Sequence, residues 1–306
     1  MVDDHSDDGT AGIAGGYTDI GVRVIPSGER PGGWTGKNWT CHQGAMAAAG
    51  DHFLFLDADT RLTSTDALER ITAEACRLGG MISVQPLHLV RSLYEQLSAF
   101  FNLVVMIGSG AFSSWSRAGE AFSCFGPCIF LGREDYFTIG GYEAVRGEVV
   151  DDLALCRLCR RAGIEVYCFG GKGTIAFRMY PGGVGSLVEG WTKNIAVGAS
   201  LTDTRTIVLL VVWFTGISNA SLLMLYLPYR NAGIFLIGLS LFVYALYVLQ
   251  VYIQLRRVGT FAFIAALCFP LLFLFFVGVF FYSLIRVHIF HSVTWKGRVI
   301  HVGKGE

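Results

Sequence analysis

Neighbouring aspartates are the residues of this sequence best suited to chemistry. Three groups of them stand out: Asp3-Asp4, Asp57-Ala58-Asp59 and Asp151-Asp152. The middle group directly follows an apolar run at residues 53–56, and the carboxyl end of a buried parallel strand is where open α/β sheets bind ligands. Two carboxylates separated by one small residue can turn towards one cation, and Mg²⁺ or Mn²⁺ prefers oxygen ligands and bridges to phosphates. Asp57 and Asp59 therefore predict a divalent-metal site.

The Asp151-Asp152 pair opens a predicted helix and admits two interpretations. Acidic residues at a helix N-terminus interact favourably with the helix dipole, so the pair could simply stabilise the helix. It could also supply a general base that faces the metal site across the sheet. Because Asp3-Asp4 lies in a turn-rich stretch at a predicted strand end, all three acidic groups belong to sheet edges. Helix capping alone does not explain three such groups, and we favour the catalytic interpretation.

The elements around these groups alternate between short apolar runs and amphipathic segments up to residue 205. Strands are predicted at residues 53–56, 81–84, 128–131 and 164–169, and helices at residues 63–78 and 152–162. A further helix follows the glycine-rich stretch at residues 182–185 and continues to Gly198. Alternation of this kind is typical of an α/β domain with a largely parallel sheet.

The composition of the last third of the chain is suited to lipid and not to water. Of the 306 residues, 53% are hydrophobic and 16% are charged, against about 25% charged in an ordinary soluble domain. Between residues 206 and 290 the only charged residues are Arg230, Arg256, Arg257 and Arg286. Three apolar runs, at residues 207–227, 233–253 and 261–285, each have the roughly 20 residues that cross a bilayer. We therefore exclude a purely soluble protein.

Charge also predicts the compartment and the partners. The 24 basic residues balance the 24 acidic ones, so nucleic acid is not an expected partner. The chain opens with acidic residues and no signal-peptide core, which predicts a cytoplasmic polar part and a multi-pass anchor in the cell membrane. Positive charges after residue 285 predict a cytoplasmic tail as well. An even number of membrane crossings places both the polar part and the tail in the cytoplasm. That number results if the run at 261–285, interrupted by Pro270 and Gly278, enters the membrane and returns.

Four motifs, in this order, resemble those of family 2 glycosyltransferases. They are the aspartate-rich segment at residues 2–10, Gly36-Lys37-Asn38-Trp39, Phe55-Leu56-Asp57-Ala58-Asp59 and Asp151-Asp152-Leu153. The resemblance covers residues 2–200. Within that family, the segments at residues 177–181 and 188–194 look most like the bacterial carotenoid (diaponeurosporenoate) glycosyltransferase branch.

The resemblance implies a fold and a domain division. The implied catalytic domain, residues 1–205, is GT-A-like, with a mostly parallel sheet and flanking helices. An α-helical membrane region at residues 206–290 and a basic cytoplasmic tail at residues 291–306 follow it. Family members begin with a strand-helix-strand unit before the first aspartate pair, and such a unit takes about 30 residues. We therefore expect the sequence to lack its first strands and to be N-terminally truncated.

On the donor side, the resemblance implies a role for each motif residue. Asp3 and Asp4 match the aspartates that contact the nucleotide of a nucleotide-sugar donor. Lys37 matches a basic residue near the donor's pyrophosphate. Asp59, with Asp57 beside it, matches the motif that binds Mg²⁺ or Mn²⁺ and neutralises the departing diphosphate.

On the acceptor side, Asp152 matches the catalytic base, with the neighbouring Asp151 in place of the usual Glu. An inverting transfer follows, in which Asp152 deprotonates an acceptor hydroxyl, or holds a carboxylate acceptor, for attack on the anomeric carbon. The family's Q-x-x-R-W motif is absent, and Trp191 and Lys193 occupy the comparable stretch as expected substrate contacts. That departure argues against processive polysaccharide synthesis.

The tail contains a Val-Thr-x-Lys-Gly segment with two interpretations. Thr294 and Lys296 resemble residues of the loop that covers the active site in cellulose synthases. The segment could equally be a basic juxtamembrane tail attracted to anionic membrane lipid.

Three functions are compatible with these observations. The preferred one is a membrane-bound glycosyltransferase that moves a sugar, glucose from UDP-glucose, to a lipid-like acceptor such as a carotenoid. The alternatives are a polysaccharide synthase that uses the same donor chemistry and a catalytically inactive, truncated membrane protein.

Overall fold

The computed structural model describes residues 1–110, 124–148, 150–198, 204–290, 292–295 and 298–301. The chain divides into two compact units. The first unit comprises Met1–Ala58, Thr65–Gln85 and Arg117–Phe169, and the second comprises Asp59–Ser64, Pro86–Ser116 and Gly170–Glu306.

Short strands and helices alternate along the chain before three long helices begin. The strands are β1 (Val2–Asp3), β2 (Ile25–Pro26), β3 (His52–Leu56), β4 (Thr60–Leu62), β5 (Met81–Gln85), β6 (Leu87–His88), β7 (Cys128–Gly132), β8 (Val166–Gly170), β9 (Ile175–Phe177), β10 (Ser292–Trp295) and β11 (Arg298–His301). The helices are α1 (Thr10–Gly15), α2 (Gly36–Ala47), α3 (Ala67–Leu78), α4 (Ala99–Gly108), α5 (Arg133–Thr138), α6 (Gly141–Ala144), α7 (Asp151–Arg161), α8 (Val184–Gly198), α9 (Thr204–Tyr229), α10 (Ile234–Val258), α11 (Phe263–Leu267) and α12 (Phe269–His288). Two 3₁₀ turns lie at Thr18–Ile20 and Leu93–Ser98.

A four-stranded sheet in the order β3-β7-β5-β8 forms the centre of the first unit. β7 is antiparallel to both neighbours, since Phe130 lies opposite Leu54 of β3 and Ile82 of β5. The α/β class is confirmed, but the sheet is mixed where the sequence predicted a largely parallel one. The connection gives the reason: the chain between β5 and β7 runs through the second unit, so β7 does not follow a short βαβ crossover.

Aromatic side chains anchor β3 in the core of the first unit. The ring centroid of Phe53 lies 5.1 Å from that of Tyr136, and Phe55 lies 5.1 Å from Tyr142. Phe53, Tyr136 and Tyr142 are all buried. This packing fixes the carboxyl end of β3, from which Asp57 follows directly.

The predicted strands are confirmed to within two residues, whereas the helix predicted at residues 63–78 begins later. It starts at Ala67, after β4 at Thr60–Leu62, a strand that the sequence did not predict. β4 pairs antiparallel with β9, and the Thr63 amide continues the pairing by donating to the Thr174 carbonyl at 2.9 Å. Backbone hydrogen bonding to a distant strand thus holds the start of the predicted helix in an extended conformation.

Three helices of the second unit are long and apolar enough to cross a membrane, namely α9, α10 and residues 269–287 of α12. This confirms a C-terminal α-helical region with membrane-like composition. The third apolar run breaks at Cys268, and Pro270 stands in the first turn of α12. α12 then continues through Gly278. The structure therefore has a break beside Pro270 and none at Gly278, and the re-entry of residues 261–285 stays a prediction.

These apolar helices share one core with α4 and α8. Phe101 of α4 stacks on Trp191 of α8 at 4.9 Å and contacts Phe276 of α12 at 5.1 Å. The Ser283 hydroxyl of α12 donates to the Thr192 carbonyl of α8 at 2.7 Å in a buried position. The second unit therefore holds α8 directly against a helix of membrane-spanning length.

Candidate active site

The donor-side aspartates lie at the end of a short parallel pair in the first unit. β1 pairs with β2, and the Ser27 amide donates to the Asp3 carbonyl at 2.8 Å. Oδ2 of Asp3 accepts from the Ser6 amide at 3.3 Å, while its buried Oδ1 has no hydrogen-bond partner among the residues that the structure describes. Asp4 is exposed. A buried carboxylate oxygen of this kind is costly unless a ligand donates to it.

Lys37 connects two of the predicted acidic groups. It lies in the first turn of α2, which packs beside β1. Its Nζ lies 3.1 Å from Oδ1 of Asp57 and 3.3 Å from Oδ2 of Asp151. Burial alone would lower the pKa of Lys37, but the carboxylates of Asp151, Asp57 and Asp152 outweigh it and raise the pKa above its usual range. The first unit thus concentrates three carboxylates around one permanent positive charge.

Asp152 is a carboxylate of this cluster with a raised pKa. Its Oδ2 accepts from the Gly126 amide at 2.9 Å, and its Oδ1 accepts from the Leu153 amide at 2.9 Å. A Cβ on Gly126 would lie 3.1 Å from that Oδ2, so glycine permits the close approach. Burial and then the charge of Asp151 raise the pKa of Asp152 to about 6, against the lowering effect of Lys37 and the two amides. A carboxylate with this pKa is well matched to general-base catalysis near neutral pH.

Asn38 is a site residue that sequence analysis did not identify. It is 1% exposed, and its Nδ2 donates to the carbonyls of Val145, Arg146 and Glu148 at 2.7, 3.2 and 3.1 Å. These bonds tie α2, and with it Lys37, to the segment that precedes α7. Its position next to Lys37 in the Gly-Lys-Asn-Trp motif was the available signal.

The predicted metal-binding pair is divided between the two units. Asp57 ends the β3 segment of the first unit, and its side chain is 34% exposed. Asp59 directly precedes β4 in the second unit and is exposed. No group of three or more His, Cys, Asp or Glu side chains suited to a metal occurs within the described ranges. Both residues nevertheless offer accessible carboxylate oxygens, the donor set of Mg²⁺ and Mn²⁺, which also take diphosphate oxygens as ligands.

The predicted acceptor-side residues have different surroundings. Trp191 is 3% exposed, and its Nε1 donates to Oγ of Ser98 at 3.0 Å, so its ring packs in the core of the second unit. Lys193 follows on α8. Thr294 lies in β10, opposite Val299 of β11, and β10 runs beside α8. Lys296 lies outside the described residues.

Comparisons with known proteins agree with these features. Residues 1–90 match the model of Glycosyl transferase family 2. The chain is 35% identical to 4,4'-diaponeurosporenoate glycosyltransferase of Staphylococcus aureus strain MRSA252, over 99% of this chain and 80% of the relative. The same protein of strain bovine RF122 / ET3-1 is 34% identical over the same shares.

Two solved structures show a weaker likeness. One is glucosyl-3-phosphoglycerate synthase from Mycobacterium tuberculosis in complex with Mn²⁺, UDP-glucose and phosphoglyceric acid, with TM-score 0.41 and 16% identity over 66% of this chain and 69% of that one. The other is S. aureus TarS 1–349 in complex with UDP, with TM-score 0.40 and 15% identity over 100% of this chain and 87% of that one. Identity to the diaponeurosporenoate enzymes at this level and over nearly the whole chain shows that the protein belongs to the family 2 glycosyltransferases.

Proposed function

We propose that this glycosyltransferase is an inverting membrane enzyme that transfers glucose from UDP-glucose to a carotenoid-type lipid acceptor. The observation that carries the proposal is the cluster of Lys37, Asp57 and Asp151 with the raised-pKa carboxyl of Asp152. The choice of acceptor is supported by the name of the relatives, which are 34–35% identical over 99% of the chain.

Asp3 and Lys37 of the first unit bind the donor directly. The buried Oδ1 of Asp3 accepts from a hydroxyl or ring N–H of the nucleoside, which supplies the missing hydrogen bond. Lys37 stays protonated at any working pH and donates to a diphosphate oxygen. Asp57 and Asp59 are the residues that would hold Mg²⁺ or Mn²⁺, and a cation held there would supply positive charge for the departing diphosphate.

Asp152 acts at the acceptor. Its carboxylate takes the proton of the acceptor's acid or hydroxyl group, and the acceptor oxygen forms a bond to the anomeric carbon as the bond from that carbon to the diphosphate breaks. The attack comes from the face opposite the diphosphate, so the configuration inverts. The amides of Gly126 and Leu153 hold the Asp152 carboxylate in one orientation, which restricts it to a productive direction of proton transfer.

The second unit offers the apolar acceptor a surface of its own. A cavity of about 340 Å³ opens between α8 and α12, with Val188 and Tyr282 in its lining. Glu189 and Arg286 also line it, and the buried Oε1 of Glu189 has no hydrogen-bond partner in the described part of the chain. A volume of this size suits part of an elongated ligand. Apolar walls with polar groups among them fit a molecule that has a long hydrocarbon body and a polar end.

Transfer assays test the proposed function directly. Membranes that contain the protein, UDP-[¹⁴C]glucose, Mn²⁺ and diaponeurosporenoate should yield a labelled lipid in which the glucose is β-linked. Membranes with the Asp59→Ala chain serve as the matched control and should yield none. Label in a polymer instead of a lipid would favour the polysaccharide synthase, and an α-linked product would contradict inversion.

We also propose that α9 and α10 anchor the enzyme in the cell membrane with the first unit in the cytoplasm. Asn231 lies in the exposed turn between these helices. An Asn231→Cys variant should react with a membrane-impermeant maleimide in intact cells. The unaltered chain should react only after permeabilisation, although its Cys76 is exposed on α3 of the first unit. Labelling of Cys76 in intact cells would place the first unit outside.

A further inference from the structure

A short segment before β7 holds Asp152 by two hydrogen bonds. The Gly126 amide donates to Oδ2 of Asp152 at 2.9 Å, and the Cys124 thiol donates to the Asp152 carbonyl at 2.9 Å. The first bond orients the carboxylate, and the second holds the turn of α7 that carries it. Because both donors lie within residues 124–126, the position of this segment decides where the Asp152 carboxylate lies.

Ser83 of β5 holds the centre of the same segment. Its hydroxyl donates to the Phe125 carbonyl at 3.0 Å and accepts from the Phe125 amide at 2.5 Å. A hydroxyl can donate and accept at once, so this one group fixes both the amide and the carbonyl of Phe125. Ser83 is 0% exposed and Phe125 is 4% exposed, so water competes little for the two bonds.

The hydroxyl of Ser83 is the feature of β5 that packing does not account for. The strand runs Met-Ile-Ser-Val-Gln, and its first four residues are all buried. β5 lies between β7 and β8, and Ser83 is opposite Ile129 of β7. A valine or isoleucine would bury more apolar surface at this interior position. The polar side chain is therefore explained by the segment that it holds, and the sheet gives it a fixed position.

We propose that Ser83 is a positioning residue for the catalytic base: by holding Phe125, it fixes the Gly126 amide and the Cys124 thiol against Asp152. The inference rests on the proposed function, in which Asp152 takes the acceptor's proton. Ser83 acts through residues 124–126 and takes no part in the proton transfer. Transfer depends on the direction and distance of the carboxylate, and a displacement of about 1 Å can cost on the order of 10²-fold in rate.

Loss of the Ser83 hydroxyl should also change the acidity of the base. The titratable groups around Asp152 are Lys37 on α2, Asp151 and Cys156 on α7, and Cys124 before β7. Among the causes that set its pKa, burial and Asp151 raise it, whereas Lys37 and the amides of Leu153 and Gly126 lower it. A displaced Gly126 amide would stabilise the ionised carboxylate less, so the pKa of Asp152 would rise further. The acid limb of kcat/KM would then move to higher pH.

A pH profile of transfer by the full chain in membranes, with UDP affinity from calorimetry, tests this role. Ser83→Ala should lower kcat by about 10-fold or more. It should move the acid limb of kcat/KM to higher pH by about one unit, the effect of one hydrogen bond to a charged group. UDP affinity should stay near that of the unaltered chain, because Asp3 and Lys37 keep their positions. The midpoint of the limb does not depend on the amount of folded enzyme, so partial unfolding cannot imitate the shift.

Ile82→Val is the matched control. Ile82 precedes Ser83 on β5 and is buried, but its side chain leaves the opposite face of the strand. Removing one of its carbon atoms destabilises the same strand without touching the hydrogen bonds of Ser83. This variant should keep the kcat and the acid limb of the unaltered chain. Ser83→Thr retains a hydroxyl at the same position and should also keep both.

A double variant shows whether Ser83 acts through Asp152. In an Asp152→Asn chain no base remains to be displaced, so the added Ser83→Ala change should lower the residual transfer by much less than it does in the unaltered chain. An equal loss in both backgrounds would mean that Ser83 supports another part of the site, and would overturn the inference.

The remaining outcomes separate this inference from the proposed function. An unchanged kcat and acid limb in Ser83→Ala would overturn the inference alone. Equal changes in Ser83→Ala and Ile82→Val, or in Ser83→Ala and Ser83→Thr, would overturn it too, because the hydroxyl would then not be the cause. Full transfer by Asp152→Asn would overturn the proposed base, and with it the role of Ser83.

Discussion

Asp152→Asn is expected to lower sugar transfer by a factor of about 10²–10⁴ while leaving UDP binding intact, since general-base catalysis contributes about that much. Asparagine keeps the size of the side chain and an oxygen that can still accept from the Gly126 or Leu153 amide. It cannot take a proton from the acceptor. The measurements are kcat for transfer to the lipid acceptor and the affinity for UDP by calorimetry.

Glu134→Gln is the matched control for this variant. Glu134 is an exposed acidic residue in the first turn of α5, so its replacement also converts a helix N-terminal acid to its amide. Transfer should be unchanged in that variant. Loss of UDP binding in Asp152→Asn, with transfer and binding reduced together, would instead place Asp152 in the donor site and require another base.

The same carboxylate predicts the acid limb of the pH profile. Asp152 must be ionised to accept a proton, and its pKa is raised to about 6. The value of kcat/KM should therefore fall as pH decreases through about 6, to roughly a tenth of its plateau one unit below the pKa. Asp151→Asn should move this limb to lower pH, because the charge of Asp151 is one cause of the raised pKa. A limb near the ordinary aspartate pKa in the unaltered chain would contradict the assignment.

Local patterns were sufficient to predict the strands of the central sheet and the long apolar helices. The strand at residues 53–56 is a short apolar run between polar residues, and the structure has it as His52–Leu56. The apolar runs near the C-terminus are longer than any soluble core requires, and they form α9, α10 and α12. In both cases the signal lies within one segment, where hydrophobicity and length decide the structure.

The direction of β7 and the partner of β4 could not be predicted in this way. Both depend on the path of the chain through two units, which no local pattern encodes. Residues 60–62 pair with residues 175–177, more than 110 positions away, and so form a strand that no local pattern predicted. Pairing between distant strands is set by the whole fold and overrides local propensity.

The residues of the site divide in the same way. Some were identified by a local motif, and others have a role that depends on distant parts of the chain. Motifs marked Lys37, Asp57 and Asp151 in the sequence. In the structure, Nζ of Lys37 lies within 3.3 Å of a carboxylate oxygen of each aspartate. The role of Asn38 was not visible, because its three acceptors are carbonyls more than 100 residues away. Trp191 was expected to contact substrate because of its motif position. Its buried ring shows instead that an aromatic residue in a motif can serve core packing.

Asp59→Ala is expected to abolish metal-dependent transfer, with a loss of at least about 10²–10³ in rate. The diphosphate leaves with a large negative charge, and Lys37 is the cation of the first-unit cluster that could share in balancing it. That ammonium already faces the carboxylates of Asp57 and Asp151, so its charge is largely compensated before the donor binds. A second source of positive charge is required, and Asp59 supplies the carboxylate that holds it.

The control for Asp59→Ala is Asp19→Ala, which removes an exposed carboxylate in the 3₁₀ turn at Thr18–Ile20. Transfer should be measured across a Mn²⁺ titration in both variants. Asp19→Ala should reproduce the titration curve of the unaltered chain, whereas Asp59→Ala should stay near background at every Mn²⁺ concentration. UDP should still bind to Asp59→Ala in the absence of metal, because Asp3 and Lys37 belong to the other unit. Full transfer by Asp59→Ala with the same Mn²⁺ dependence would refute the metal site.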